Sequence, residues 1–138
     1  MKPLSIKLSA VLVIGLIMTG YAEVWGADWK LYSRTDLGDY YYDAESLTRP
    51  SKNVVRLWTE LFHSEEGKTQ SMKVVGIEFG MSVALQEIDC ANNMSRLLRI
   101  THYDNDGMII YSESLAEPKW NYIIPESMAD ILYKTICK

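Results

Sequence analysis

The sequence has few of the residues that usually build metal and catalytic centres. Its 138 residues include two cysteines, Cys90 and Cys137, and two histidines, His63 and His102. The histidines are far apart along the chain, and a lone histidine in a strand pattern is most often a hydrogen-bonded structural residue. The sequence also lacks a Gly-x-Ser-x-Gly nucleophile motif. We therefore expect a protein that is not an enzyme and that carries no metal and no cofactor.

Basic residues are also scarce, and they are not clustered. The chain has 14 Lys and Arg against 18 Asp and Glu, which gives a formal net charge of -4. If residues 1–22 are removed, the loss of Lys2 and Lys7 lowers that charge by two further units, from -4 to -6. A surface that binds nucleic acid needs a basic stripe. The composition therefore predicts no nucleic-acid partner.

The first 22 residues have the three zones of a secretory signal peptide. A short basic stretch, Met1–Lys7, precedes an uncharged apolar run, Leu8–Met18, and a small-x-small pattern follows at Gly20–Ala22. The run is shorter than the about 20 apolar residues that a membrane-spanning helix needs. We predict cleavage after Ala22, with sites as late as Ala27 left open, no stable membrane span afterwards, and no cysteine placed to carry a lipid.

The remaining residues, 23–138, contain no repeat, charge block or low-complexity linker, and this predicts a single domain. In an oxidising compartment its two cysteines, Cys90 and Cys137, allow one intramolecular disulfide. In the chain-entropy model, closing that loop stabilises the fold by about 4 kcal/mol. Free buried thiols or a pair of metal ligands remain the alternative interpretations.

Strand-like segments separated by turn residues fill most of this domain. The polar segment His63–Gln70 is interpreted as a loop, and Ser71–Glu78 fits either a strand or one face of a helix. Asp106-Gly107 between two apolar segments predicts a hairpin. The predicted strands are Trp29–Ser33, Tyr40–Asp43, Val54–Phe62, Val83–Cys90, Met94–Tyr103, Met108–Tyr111 and Trp120–Ile124.

The C-terminal segment changes to a helical period. Ser127 and Asp130 have the spacing of a capping-box variant, and Met128, Leu132 and Ile136 recur at helical spacing. The fold class predicted from these patterns is α+β, with a mostly antiparallel β-sheet packed by one C-terminal α-helix. A disulfide at Cys137 would fasten that helix to the strand that ends at Cys90.

Two local clusters are candidate binding residues. In a strand, the side chain of Tyr41 points to the opposite face from Tyr40 and Tyr42, so the three tyrosines predict an aromatic surface for a partner. The alternative is that they border the core of a small sheet. Asp104 and Asp106 match a calcium loop poorly, because the glycine follows Asp106 directly and turn formation explains the pattern.

Several segments of the domain have a characteristic order and spacing. They are Trp29, Tyr42–Leu47, Val55, Trp58, Ile88–Cys90, Arg96, Leu98, Tyr103–Gly107, Trp120, Ile124-Pro125, Ser127 and Cys137. Their order and spacing resemble the bacterial surface-adhesin protein E family. The resemblance covers nearly all of the domain and implies an antiparallel sheet closed by a C-terminal helix that a disulfide fastens. The family takes its name from a surface lipoprotein that is similar to binders of host matrix and plasma proteins such as vitronectin and laminin.

Residues and resemblance together predict an exported, non-catalytic, adhesin-like binding domain of the bacterial cell envelope. We expect it in the periplasm, on the cell surface or secreted, in contact with a protein partner. A matrix protein is implied only by family analogy, and the sequence specifies neither the partner nor the oligomeric state. The alternative is a periplasmic carrier of a small ligand or metal, with Asp104, Asp106 or His102 as ligands.

Overall fold

The computed structural model describes residues 27–138, which contain one eight-stranded antiparallel sheet, two α-helices and a short 3-10 helix, Ala44–Ser46. The predicted signal peptide, residues 1–22, lies outside the described residues. The helices are α1 (Glu65–Val75) and α2 (Met128–Ile136). The strands are β1 (Trp29–Thr35), β2 (Gly38–Asp43), β3 (Thr48–Ser51), β4 (Val54–His63), β5 (Met81–Asp89), β6 (Met94–Tyr103), β7 (Ile109–Ser114) and β8 (Asn121–Tyr122).

The sheet follows the order β1-β2-β4-β5-β6-β7. β4 is long enough to pair with β2 along its C-terminal half and with β3 along its N-terminal half, while β8 pairs with the start of β6. The predicted hairpin at Asp106-Gly107 is confirmed, because β6 and β7 are antiparallel neighbours across that turn. The predicted α+β class with a mostly antiparallel sheet is likewise confirmed.

Side chains alternate along each strand, so the sheet has two different faces. On β4, Val55, Leu57 and Thr59 point to one side and are buried, and we call this the helix side. Trp58 and Phe62 point to the other side, which we call the open face. The buried cluster on the helix side consists of Leu57, Ile88, Ile123 and Leu132.

The prediction of a loop over His63–Gln70 is wrong, because α1 begins at Glu65 and continues to Val75, and the sheet is therefore packed by two helices rather than one. The capping residues explain the helix. Ser64 is the N-cap, and its side chain accepts a hydrogen bond from the backbone N–H of Gly67, while Gly76 ends the helix in the left-handed conformation. The sequence of α1 has no continuous apolar stripe, so hydrophobic periodicity does not reveal this helix.

The C-terminal helix α2 lies where the sequence predicted it. Ser127 is its N-cap and accepts a hydrogen bond from the backbone N–H of Asp130. A disulfide joins Cys137, directly after the helix, to Cys90 at the end of β5, with the two Cα atoms 5.5 Å apart. The Tyr133 hydroxyl donates to the carbonyl oxygen of Cys90 at 3.2 Å, so α2 contacts the end of this strand twice. Within the described part of the chain, neither helix is long and apolar enough to cross a membrane.

Candidate functional site

A groove of about 450 Å³ lies on the helix side, between α1 and α2. Strands β4, β5 and β6 form its floor, and each helix contributes residues to a wall. The lining is mostly apolar, with a few polar side chains at one end and in the middle. The apolar lining residues are Leu37, Leu61, Val74, Val75, Phe79, Ala84, Ile100, Met128, Ala129 and Leu132.

The wall formed by α1 depends on two small residues. Gly67 is buried against the turn between β1 and β2, and a Cβ atom there would overlap the carbonyl oxygen of Leu37. The Ser71 hydroxyl accepts a hydrogen bond from the backbone N–H of Phe79 at 3.0 Å and donates to the carbonyl of Lys68 at 2.8 Å. These close contacts place the helix over the ends of β4 and β5, so a larger side chain at either position would displace the wall.

Three polar side chains from three adjacent strands meet at one end of the groove. His63 ends β4, Ser82 lies near the start of β5, and His102 lies near the end of β6. The Ser82 hydroxyl lies 2.9 Å from Nε2 of His63 and 2.6 Å from Nδ1 of His102. The serine is buried, and both histidines are half-buried. Antiparallel register places Ser82 opposite His102, and this alignment creates the cluster.

Burial keeps both imidazoles neutral over a wider pH range than in water. It lowers the pKa of His63, and the neighbouring His102 and Lys68 lower it further. Burial also lowers the pKa of His102. The ring of Phe79 stacks on His102 with 4.1 Å between ring centroids, which holds that imidazole in place. At neutral pH the cluster is therefore an uncharged group of hydrogen-bond donors and acceptors.

Further along the floor, Gln86 and Thr59 form a second polar pair. The side-chain nitrogen of Gln86 donates to the Thr59 hydroxyl at 2.7 Å, and the Thr59 hydroxyl is within 3.5 Å of the Ala84 carbonyl. Thr59 is buried, and its hydroxyl makes both of these contacts within the sheet. The histidine cluster, where three polar side chains meet, is the larger of these two polar groups in the groove.

The open face has a different character. Phe62 is 46% exposed and Leu31 is 43% exposed, and the ring of Tyr41 meets Phe62 edge-on at 5.8 Å. Both helices pack on the other side, so among residues 27–138 no helix covers this face. Strand register and alternation bring together an apolar patch, the open-face patch, of Leu31, Tyr41, Trp58, Phe62, Met81, Val83 and Leu85.

The three consecutive tyrosines are divided between the two faces. Tyr41 belongs to the open-face patch, opposite Leu31 in the register. Tyr40 and Tyr42 lie on the helix side, where each packs against Tyr32 with ring centroids about 6 Å apart. Burial raises the pKa of Tyr32, and repulsion from Tyr40 raises it further. The structure therefore separates the predicted tyrosine surface into one open-face residue and two residues near the core.

One end of the open face carries a buried carboxylate. The Glu87 side chain is 2% exposed, and its two oxygens accept from Arg56 at 3.0 Å and from Arg96 at 2.7 Å. The guanidinium of Arg96 lies 4.4 Å from the ring centre of Trp120. Because both Glu87 oxygens are satisfied, this cluster connects β4, β5 and β6 and is a structural feature of the sheet.

The acidic residues Asp104 and Asp106 belong to the turn between β6 and β7. Asp104 accepts hydrogen bonds from the backbone N–H groups of Asp106 and Met108, both at 2.9 Å, and so closes the turn between β6 and β7. Among residues 27–138, no three His, Cys, Asp or Glu side chains gather in a way that would hold a metal ion.

The sequence alone does not reveal the histidine cluster. His63 and His102 are separated by 39 positions, and Ser82 belongs to no recognisable motif. The signal that could have found them is strand register, since β4, β5 and β6 are consecutive antiparallel partners whose paired ends must lie side by side.

Comparison with known proteins identifies the family. A family model described as surface-adhesin protein E matches residues 29–138. A solved structure of Haemophilus influenzae protein E has a TM-score of 0.50 to this chain at 16% identity, covering 81% of this chain and 83% of that one. A crystal structure of protein E from non-typeable Haemophilus influenzae gives a TM-score of 0.48 at 13% identity, covering 78% and 74%. No curated protein sequence matches. The family model spans almost all the described residues, and the chain belongs to the surface-adhesin protein E family.

Proposed function

We propose that this chain is an exported, non-catalytic, adhesin-like domain of the bacterial cell envelope that binds a protein partner through the open face of its sheet. The observation that carries the proposal is the open-face patch. An apolar sheet face that no helix of residues 27–138 covers is unusual for a small monomeric domain, and such faces mark protein contacts.

The composition of the patch supports a protein partner. Tyr41, Trp58 and Phe62 are aromatic, and aromatic side chains dominate the energetically important centres of protein interfaces. Glu60 lies between Tyr41 and Val83 in the register, and burial raises the pKa of its carboxyl, with repulsion from Asp43 adding to the effect. The patch therefore combines aromatic anchors with a partly buried acid, Glu60. Of the three predicted tyrosines, Tyr41 is the one available to a partner on this face.

The proposal is tested by measuring the binding of the purified domain to immobilised host matrix and plasma proteins, including vitronectin and laminin. Phe62→Asp places a charge in the open-face patch, at the most exposed of its aromatic side chains. We expect this change to weaken binding by at least about tenfold, because desolvating an unpaired charge in an apolar contact costs well over 1.4 kcal/mol. The Tyr41→Asp variant should behave in the same way.

The matched control is Val74→Asp, which makes the same type of change on the other side of the molecule. Val74 is on α1 and is 71% exposed, so the added charge remains in water. Binding by this variant should equal that of the unmodified domain. Equal losses in both variants, full binding by Phe62→Asp, or no binding to any protein of the panel would contradict the proposed role of the open face.

Export is tested separately by the intact mass of the protein in cell fractions. A soluble species that begins near Glu23 or Asp28, with no lipid and no cysteine that alkylates under denaturing conditions, is the expected result. A full-length species in the membrane fraction with two free thiols would contradict both the signal peptide and the disulfide.

The alternative function, a small-ligand carrier, is supported by a separate observation, the groove between α1 and α2. A metal carrier is supported less, since the Asp104 carboxylate closes its own turn. Elemental analysis of protein prepared without chelators tests the metal carrier directly, because a stoichiometric metal ion would favour it over the adhesin-like role.

A further inference from the structure

We propose that the groove between α1 and α2 binds a small uncharged amphipathic molecule, with an apolar chain or ring along the floor and a hydroxyl or carboxamide head at His63 and His102. This site is on the opposite side of the sheet from the open-face patch. The proposed ligand site is therefore independent of the proposed protein contact, and an experiment can contradict either proposal without contradicting the other.

The dimensions and lining of the groove are those of a small-molecule site. Its volume, about 450 Å³, lies within the range of roughly 300 to 1,000 Å³ that is usual for ligand pockets. Such pockets are mainly apolar, with a few polar groups that orient the ligand. Here Ala84 and Ile100 lie in the floor, Val75 and Met128 are in opposite walls, and the polar cluster around Ser82 is at one end.

Hydrogen-bond accounting at the cluster specifies the head group. The Ser82 hydroxyl has one proton, so it donates to one imidazole and accepts from the other. A neutral imidazole has a single N–H. The ring that accepts from Ser82 must therefore carry its proton on its outer nitrogen, and the ring that donates to Ser82 has an outer nitrogen that can only accept. The outer nitrogens are Nδ1 of His63 and Nε2 of His102.

Neither outer nitrogen has a hydrogen-bond partner among residues 27–138. Whichever way the Ser82 proton points, the two outer nitrogens together carry one donor and one acceptor. A hydroxyl or carboxamide complements both, because each of these groups donates and accepts. A carboxylate only accepts and an ammonium only donates, so either one leaves half of the cluster unsatisfied.

The charges around the groove also disfavour an anionic guest. The lining residues include no Lys or Arg within the described ranges, so a carboxylate would have no counter-ion there. Lys68 is close enough to lower the pKa of His63, and its Nζ atom is paired with Glu65 at 3.1 Å. Because charging either imidazole is disfavoured by burial, the cluster does not supply a positive charge at neutral pH.

The test is a titration of the full soluble protein with three probes of equal chain length: 1-octanol, octanoate and octylammonium. Binding is followed by amide chemical shifts in nuclear magnetic resonance at about pH 7.5. We expect saturable shifts at α1, Ala84 and Ile100, with 1-octanol binding at least about tenfold more tightly than either ion. No saturable shifts, shifts confined to the open face, or tighter binding of octanoate would overturn the proposal.

Two variants separate the groove from the rest of the fold. Ala84→Phe fills the floor of the groove, and Val83→Phe adds the same ring one residue earlier, on the open face. We expect Ala84→Phe to weaken 1-octanol binding at least about tenfold and Val83→Phe to leave it unchanged. Equal binding by Ala84→Phe, in a protein whose spectrum remains folded, would overturn the proposed position of the ligand.

The head-group assignment has its own variant, Ser82→Ala. Without the serine, the two imidazoles no longer share a defined proton arrangement, and the donor and acceptor pair is lost. The preference for 1-octanol over octanoate should therefore fall by about tenfold, while the shared apolar contacts persist. An unchanged preference for 1-octanol over octanoate would show that the cluster does not distinguish between the two head groups.

Discussion

The two helices lie on the same side of the sheet, but they are fastened to it very differently. α2 inserts Leu132, which is 1% exposed, into the core cluster and is tied covalently through Cys137 to β5. α1 buries only two small residues, Gly67 and Ser71, and leaves Val74 71% exposed. Helix α2 therefore completes the core, whereas α1 mainly forms one wall of the groove. Helix formation and helix packing are separate properties, and the capping residues of α1 explain where it begins and ends.

Of the changes considered, removal of the disulfide should lower the free energy of unfolding the most. Cys90→Ser and Cys137→Ser each remove the same bond, so each should lower the free energy of unfolding by about 4 kcal/mol, because the unfolded chain gains the entropy of the open loop, and each should also loosen α2. The double variant should be little worse than either single variant. Denaturant unfolding of all three proteins measures this, and strictly additive losses would be inconsistent with a shared bond.

Core packing is the next contrast between the helices. Leu132→Ala removes a fully buried side chain from α2 and should cost about 3 kcal/mol in unfolding free energy. Val74→Ala, the matched change on α1, alters an exposed side chain and should stay within about 0.5 kcal/mol of the unmodified protein. Thermal or denaturant unfolding compares the two, and similar losses would mean that α1 is packed as tightly as α2.

Gly67→Ala tests how α1 is attached. The added methyl group overlaps the Leu37 carbonyl, so it should displace α1 at a cost of about 1 to 2 kcal/mol. Hydrogen exchange should accelerate in α1 while α2 remains protected. Thr69→Ala, at an exposed position of the same helix, serves as the control. Equal acceleration in both helices would indicate that the change weakens the whole domain.

Acidification should produce the smallest change in the free energy of unfolding, and we expect that change to arise from the two histidines beside α1. The folded protein lowers the pKa of His63 and His102 below 6.5, so below that value the unfolded chain binds more protons than the folded one. The stability contributed by the neutral rings is complete above about pH 6.5 and declines as the pH falls through their lowered pKa values. Urea unfolding at about pH 7.5 and about pH 5.5 should show a larger loss in the unmodified protein than in His63→Gln/His102→Gln. An equal loss in both proteins would exclude these rings as the cause.

Much of the fold could be predicted because the relevant signals are local. Met94–Tyr103 has a strand pattern bounded by turn residues and forms β6 with those bounds, and Ser127 begins α2 as its capping pattern indicates. α1 was missed because its apolar residues, such as Met72 and Val74, face solvent rather than the core. Without a buried stripe, only the capping residues Ser64 and Gly76 indicate the helix.

The candidate sites were harder to predict because they depend on which strands become neighbours. Alternation along β2 was enough to separate Tyr41 from Tyr40 and Tyr42, but the partners of each ring come from other strands. The contact between Ser82 and His102 requires the register of β5 and β6. No local pattern specifies that register, because a shift of two residues would keep every side chain on the same face.

The disulfide also determines how the domain carries mechanical load. Tension applied to the chain beyond Cys137 passes through the sulfur atoms to Cys90 and enters the sheet at the end of β5. α2, β6 and β7 lie within the closed loop and are bypassed by that force. The segment from Cys90 to Cys137, a sequence separation of 47, could otherwise extend to roughly 160 Å, and it cannot lengthen while the bond is intact. Under traction, the domain would extend only through the strands before Cys90, and reduction of this one bond would release the hidden length.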